Sequence, residues 1–276
     1  MKVVKHSGHI VDFDVEKLRK SLLRSGVGID LVNNVVHKIL EQVYEGITTR
    51  KIYKLAFALL KKESGSHAAR YNLRAALQML GPAGFFFEKF IARLFQKLGY
   101  QTQTNLFLKG KCVQHEIDVV IQKEGKTAIV ECKFHATNDA VTDVKVPMYI
   151  LSRFNDVSYN EHELFGENRT ISECYLVTNN RFTSDAIAFG ECSGLHLMSW
   201  DYPKQMNIRG FIDQEHLYPI TCLTSLTMAE KEKLLIQDVI LVREIPKHCD
   251  VLENIGISPN RIKNVLKEVS DLCHSK

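Results

Sequence analysis

The sequence predicts an α/β chain, α+β overall: a small helical front domain with a β-hairpin, a mixed β-sheet core flanked by helices, and a mainly helical tail. Three observations predict it. Apolar residues recur with helical spacing between Asp14 and a Gly81-Pro82-Ala83-Gly84 break. Helix-like and strand-like runs alternate after that break, and beyond residue 205 the helix signals return. The domains expected from these shifts are residues 1–82, 83–204 and 205–276.

The elements follow in order. Val3, Val4, Ile10, Val11 and Phe13 flank a Ser7-Gly8 turn, which reads as a small hairpin. Asp14 is a good N-cap for a helix carrying Val15, Leu18 and Leu22 on one face. A second helix is expected over 30–43, a third from Thr48 or Thr49, and a fourth through AARYNLRAALQML to the break. Past the break, Phe87, Phe90, Ile91, Leu94, Phe95 and Leu98 fall on one helical stripe that Gly99 terminates. HEIDVVIQ and KTAIVECKF read as two strands. TDVKVPMYILSRF reads as a helix or a helix broken near Pro147, and ECYLV as a strand before a helix capped by Ser184. In the tail, Thr227 and Glu230 form a capping box, and Ser258-Pro259 open the last helix.

Composition narrows the function classes. Hydrophobic residues make up 45% of 276, enough for real cores, so disorder is excluded. No apolar run approaches the roughly 20 residues that span a bilayer, and the N-terminus lacks the apolar core of a signal peptide. A cytoplasmic protein with no membrane partner is expected. The seven cysteines are scattered and form no CxxC, which argues against a zinc site or a disulfide framework. A net charge of +4 permits nucleic-acid binding without demanding it.

The chemistry concentrates in the two strands after the break. If Glu124-Gly125 is a two-residue turn, Lys123 pairs with Lys126, and counting back sets Asp118 opposite Glu131. Opposite residues of an antiparallel pair share a face, and Lys133 lies two residues further along that face. Two carboxylates and an ammonium therefore converge. Facing like charges destabilise a sheet, and a hard divalent cation removes the penalty. Glu88, at the edge of the buried helical stripe, is a third acid in reach; the dipole of its own helix also accounts for it. From the residues alone, a metal-assisted hydrolase fits no better than a surface Glu116–Lys133 pair with Asp118 and Glu131 solvated. His115 is expected to face away from Asp118 and to take no part.

Two family resemblances sharpen this reading. Val3, Lys5, His6, Gly8, Phe13 and Lys17, with Ala68, Tyr71 and Arg74, resemble the ATP-cone, the nucleotide-binding module of ribonucleotide reductases and their transcriptional repressor. His6 stands where the pattern has Arg, and Leu73 where it has a second aromatic. The resemblance implies that ATP or dATP binds as a regulatory ligand at Val4, Lys5, His6, Lys17, Tyr71 and Arg74. Residues 84–200 resemble the restriction-endonuclease-like, PD-(D/E)xK family that includes Mrr. The matching features are Phe87-Glu88, Leu98-Gly99-Tyr100, Asp118, Glu131-Cys132-Lys133 and YLVTNNRFTSDA at 175–186. Ile117 replaces the motif proline, and the stretch from Gly110 to Asp118 is poorer in glycine than usual.

This second resemblance implies an endodeoxyribonuclease with Glu88, Asp118, Glu131 and Lys133 catalytic. The three acids would bind Mg²⁺ or Mn²⁺. DNA is the implied partner, and a homodimer or higher homo-oligomer is expected. Lys145, Arg153, Thr178, Asn179, Asn180 and Arg181 are candidate phosphate contacts, as are Arg261, Lys263 and Lys267 in the tail. The tail is expected to pack on the nuclease core or on a second subunit. Two other functions fit the same pattern: a non-catalytic nucleotide-sensing DNA-binding regulator, and a junction-resolving nuclease.

Overall fold

The structure is a computed structural model that describes residues 1–5, 7–81 and 84–274. His6, Pro82 and Ala83 lie outside the described residues, so two positions of the expected inter-domain break do too. The chain divides into two compact units, residues 1–76 with 218–276, and residues 77–217. Among the described residues no helix is long and apolar enough to cross a membrane.

The first unit opens with β1 (Lys2–Val4) and β2 (Ile10–Asp12), an antiparallel hairpin in which Val3 faces Val11. Helix α1 (Val15–Leu23) starts where Asp14 accepts from the Glu16 and Lys17 amides. Helices α2 (Ile29–Leu40) and α3 (Thr49–Glu63, capped by Thr48) complete a core around Leu22, Val32, Ile39 and Leu60. The expected fourth helix is two: α4 (Gly65–Tyr71) and α5 (Leu73–Gln78). The break is Asn72, whose side-chain carbonyl accepts from the Tyr53 hydroxyl.

The second unit begins with α6 (Phe85–Lys97), whose Phe87, Phe90, Ile91 and Leu94 are fully buried. Burying each such side chain contributes about 1.5–3 kcal/mol. Gly99, at φ 87°, ends the helix, with the Tyr100 amide reaching the Phe95 carbonyl and the two rings packed edge to face. Then come β3 (Gln101–Lys109), β4 (Gln114–Lys123) and β5 (Lys126–Lys133). After β6 (Val141–Thr142) comes α7 (Lys145–Val157), in which Pro147 sits in the first turn and breaks nothing. The remaining elements are β7 (Glu161–Leu164), β8 (Glu167–Thr170), β9 (Glu173–Thr178), β10 (Arg181–Phe182), α8 (Ser184–Cys192), β11 (His196–Met198) and α9 (Ile208–Glu215). Thr183, not Ser184, caps α8: its hydroxyl accepts from the Ala186 amide.

The main sheet has the order β11-β9-β5-β4-β3. β3, β4 and β5 are antiparallel, and β9 and β11 join in parallel, so the sheet is mixed as the sequence predicts. Strand β3 was not evident in the sequence. It is one of the two edge strands, and its polar QTQTN run is one that an exposed edge tolerates.

The tail returns to the first unit with α10 (Met228–Ile236), α11 (Cys249–Asn254) and α12 (Pro259–His274). The Thr227–Glu230 capping box forms. Residues 218–276, expected on the nuclease core or a second subunit, group with the front helices. Helix α12 packs on α4, and its buried Glu268 accepts from the Thr224 and Ser225 amides at 2.7 and 2.9 Å. Lys61 of α3 donates to the Thr224 carbonyl, and Arg70 of α4 to that of Leu272. Residues 205–217 group with the sheet instead. Ile208 and Ile212 of α9 are fully buried, and Glu215 pairs with Lys97 at 3.4 Å.

Candidate active site

The two-residue turn forms as counted: Glu124 and Gly125 both take positive φ, 53° and 79°. This geometry matches the twist of the strands it joins. The ladder then runs from Lys123↔Lys126 to Val119↔Val130, and Asp118 and Glu131 are the next residue on each strand. Regular pairing stops there because the Asp118 carboxylate replaces a backbone partner: its Oδ2 accepts from the Cys132 amide at 2.7 Å.

Glu131 is 4% exposed. Its Oε2 accepts from Arg153 Nη1 of α7 at 2.5 Å, and its Oε1 is buried with no hydrogen-bond partner. Burial, and then the Asp118 charge, push the Glu131 carboxyl up to about 7. Glu88 is likewise pushed up to about 7, by burial first and by Asp118 and Glu116 after it. Burial also raises Asp118, against the Cys132 hydrogen bond and Arg153. Three acids thus bear on one another's charge. Lys133 ends β5 and is exposed, and among the described residues its ammonium makes no ion pair. A surface Glu116–Lys133 pair is not found among those residues either. A cavity of about 310 Å³ opens beside Glu131, lined also by Cys132, Lys133, Lys145, Tyr149 and Leu176, among others.

A divalent ion fits this donor set in one specific way. A buried carboxylate oxygen with no partner is costly, and a cation resolves the cost. Among the described residues, however, no three acidic, imidazole or thiol side chains form a ready-made cluster. Mg²⁺ takes one or two carboxylates and fills the rest of its sphere with water and phosphate.

Several candidate contacts are occupied. Arg153 is held by Glu131, the Glu116 carbonyl and Tyr149, Arg181 pairs with Asp201 at 3.0 Å, and Arg261 makes a bidentate pair with Glu230. Asn179 and Asn180 are buried and tie the segment after β5: Asn179 bridges the His135 backbone, and Asn180 reaches the carbonyls of Thr137 and Ala140. His115 bonds Asp156 at 2.7 Å. Asp156 also accepts from the Cys112 and Val113 amides, and a Cβ on Gly110 would lie 2.0 Å from its Oδ2. Only glycine fits at that position. Arg153, a candidate phosphate contact by sequence, is instead the partner of Glu131.

In the front domain, Lys5 is exposed and Lys17, 3.5 Å from Asp14, points into solvent. Val4 binds the Ile47 carbonyl through its amide. Tyr71 stacks on Tyr53 with centroids 5.0 Å apart, and burial raises its hydroxyl to about 12. Arg74 is half-buried on α5. His6 is outside the described residues.

This fold and these motifs define a class. A restriction endonuclease family model matches residues 82–202, and an ATP cone domain model matches residues 1–75. A third model, AF1548-like, C-terminal, matches residues 218–273. An uncharacterised protein of Archaeoglobus fulgidus is 31% identical over 179 residues, which are 64% of this chain and 97% of the relative. The crystal structure of a protein of unknown function, AF1548, matches with a TM-score of 0.56 at 30% identity, covering 68% of this chain and 97% of that one. The chain belongs to the AF1548-like family, with an ATP cone in front of a restriction-endonuclease domain.

Proposed function

We propose that this chain is a Mg²⁺- or Mn²⁺-dependent endodeoxyribonuclease that hydrolyses phosphodiester bonds, in restriction of foreign or modified DNA, under control of ATP or dATP bound to the front domain. The observation that carries the reading is the buried Glu131, one oxygen without a partner, just past the end of the β4–β5 ladder beside Asp118 and two residues from the exposed Lys133. Asp118 and Glu131 would hold the ion, with Glu88 reaching it directly or through water. When bound, such an ion lowers the pKa of water and neutralises charge that develops on phosphorus.

The chain's own residues do the rest. Lys133 projects an ammonium where it can orient the attacking water or bind the scissile phosphate. Lys145, at the rim of the cavity, supplies a second positive charge for the DNA backbone. Val4, Lys5, His6, Lys17, Tyr71 and Arg74 make up the proposed nucleotide site. No GxxxxGK[ST] loop occurs, so nucleotide would regulate and not drive the reaction. The protein would work in the cytoplasm as a homodimer or higher oligomer.

The test is incubation of purified protein with supercoiled plasmid, with Mg²⁺ or EDTA and with or without ATP. Nicking or linearisation that EDTA abolishes is expected. Intact plasmid under every divalent and nucleotide condition would overturn the reading in favour of a non-catalytic, nucleotide-sensing DNA-binding regulator.

A further inference from the structure

We infer that Arg153 is a positioning residue of this site: its guanidinium takes one oxygen of Glu131 and so dedicates the other to a divalent cation. The inference rests on the reading of the site as metal-dependent.

Arg153 Nη1 donates to Glu131 Oε2 at 2.5 Å and to the Glu116 carbonyl at 3.1 Å, and Nη2 donates to the Tyr149 hydroxyl. The guanidinium also lies 5.0 Å from the centre of the Tyr149 ring. One planar group thus joins β5, β4 and α7. The ion pair is nearly dry, with side chains 17% and 6% exposed. Charge-assisted bonds of this length are the strong kind, and only arginine presents a rigid fork to three acceptors at once. Turning that fork toward a DNA phosphate would strand a buried carboxylate.

Asp118 is treated in the same manner. The Cys132 amide takes its Oδ2, and among the described residues no hydrogen bond reaches its Oδ1. Each of the two facing acids therefore has one oxygen committed to the protein and one not. Single oxygens from two carboxylates are what a small hard cation uses when water and phosphate complete its shell. Arg153 would hold Glu131 to that one-oxygen role.

The experiment titrates Mn²⁺ into the full chain without DNA, by calorimetry, for wild type, Glu131→Gln, Arg153→Met and Arg153→Lys. Thermal unfolding of each variant is recorded, and DNA binding is measured by anisotropy in EDTA. Loss of a partner that orients a ligand typically costs 10–100-fold in metal affinity. Arg153→Met is expected to weaken Mn²⁺ by about that factor and to leave metal-free DNA binding unchanged; Arg153→Lys is expected to recover part of the loss. Wild-type or tighter Mn²⁺ binding in Arg153→Met would overturn the inference, and so would a loss confined to metal-free DNA binding, which would make Arg153 a phosphate contact. If Arg153→Met does not fold, wild-type Mn²⁺ affinity in Arg153→Lys overturns it instead. Failure of the nuclease reading is distinct: wild type would bind no ion and Glu131→Gln would change nothing.

Discussion

At single residues, the site holds its carboxylates where they resist ionisation. Glu131 and Glu88 both lie near 7, raised from 4.5 chiefly by burial. A group whose folded pKa is raised contributes stability that is fully present below its unfolded pKa and is lost as pH rises through the folded one. The metal-free protein should therefore lose stability from this site as pH rises from about 4.5 to about 7. Calorimetric Tm values of wild type and Glu131→Gln, compared across that window, isolate the contribution: the wild-type curve should fall relative to the variant's, and Mg²⁺ should restore it at neutral pH. A wild-type curve that rises relative to the variant's would contradict the assignment. Asp118 and Glu131 were legible as a facing pair because a two-residue turn leaves only one way to count. Arg153 was not legible, because the spacing of α7 gives its buried face but not the rotation that aims a guanidinium at Glu131.

At the scale of elements, the β4–β5 hairpin sets the site, and its turn carries a local cost. Glu124 adopts φ 53° without being glycine. A side chain in that left-handed region costs roughly 1–2 kcal/mol, and asparagine tolerates it better. Glu124→Asn should raise stability by about 0.5–1 kcal/mol without altering the register, since Asn-Gly is a favoured pair for this turn. Chemical denaturation measures this; an unchanged or lower midpoint would mean that the Glu124 side chain contributes something the turn geometry does not explain. Helix α6 was readable from its apolar stripe and its terminal glycine. The short β6, β7, β8, β10 and β11 were not, because two to four residues carry too little alternation to separate a strand from a loop.

At the scale of the whole molecule, the first and last stretches of sequence form one unit. The apolar faces of α10 to α12 were visible, but an apolar face does not name its partner. Here polar contacts decide it as well: Lys61 and Arg70 donate to the Thr224 and Leu272 carbonyls, and the Thr221 hydroxyl to that of Ala76. The tail is thus attached to the helices of the ATP cone, and the proposed regulation by nucleotide would act through both. Typical couplings between sites are about 1–3 kcal/mol, or ~5–150-fold. Cleavage with ATP, or equally with a non-hydrolysable analogue, should differ from cleavage without nucleotide by a factor in that range, and Lys5→Ala should reduce the difference. Equal rates in all conditions, despite measured nucleotide binding, would refute regulation; a requirement for hydrolysis would refute the passive, binding-only form of it.

The central claim is that one hairpin face performs phosphodiester hydrolysis. Its most direct test is plasmid cleavage in saturating Mg²⁺ by wild type, Asp118→Asn, Glu131→Gln and Lys133→Ala, each checked for a native unfolding transition. Cleavage by wild type and a loss of at least about 100-fold in all three variants are expected, with Mn²⁺ binding kept only in Lys133→Ala. Wild-type rates in any folded Asp118 or Glu131 variant would contradict it.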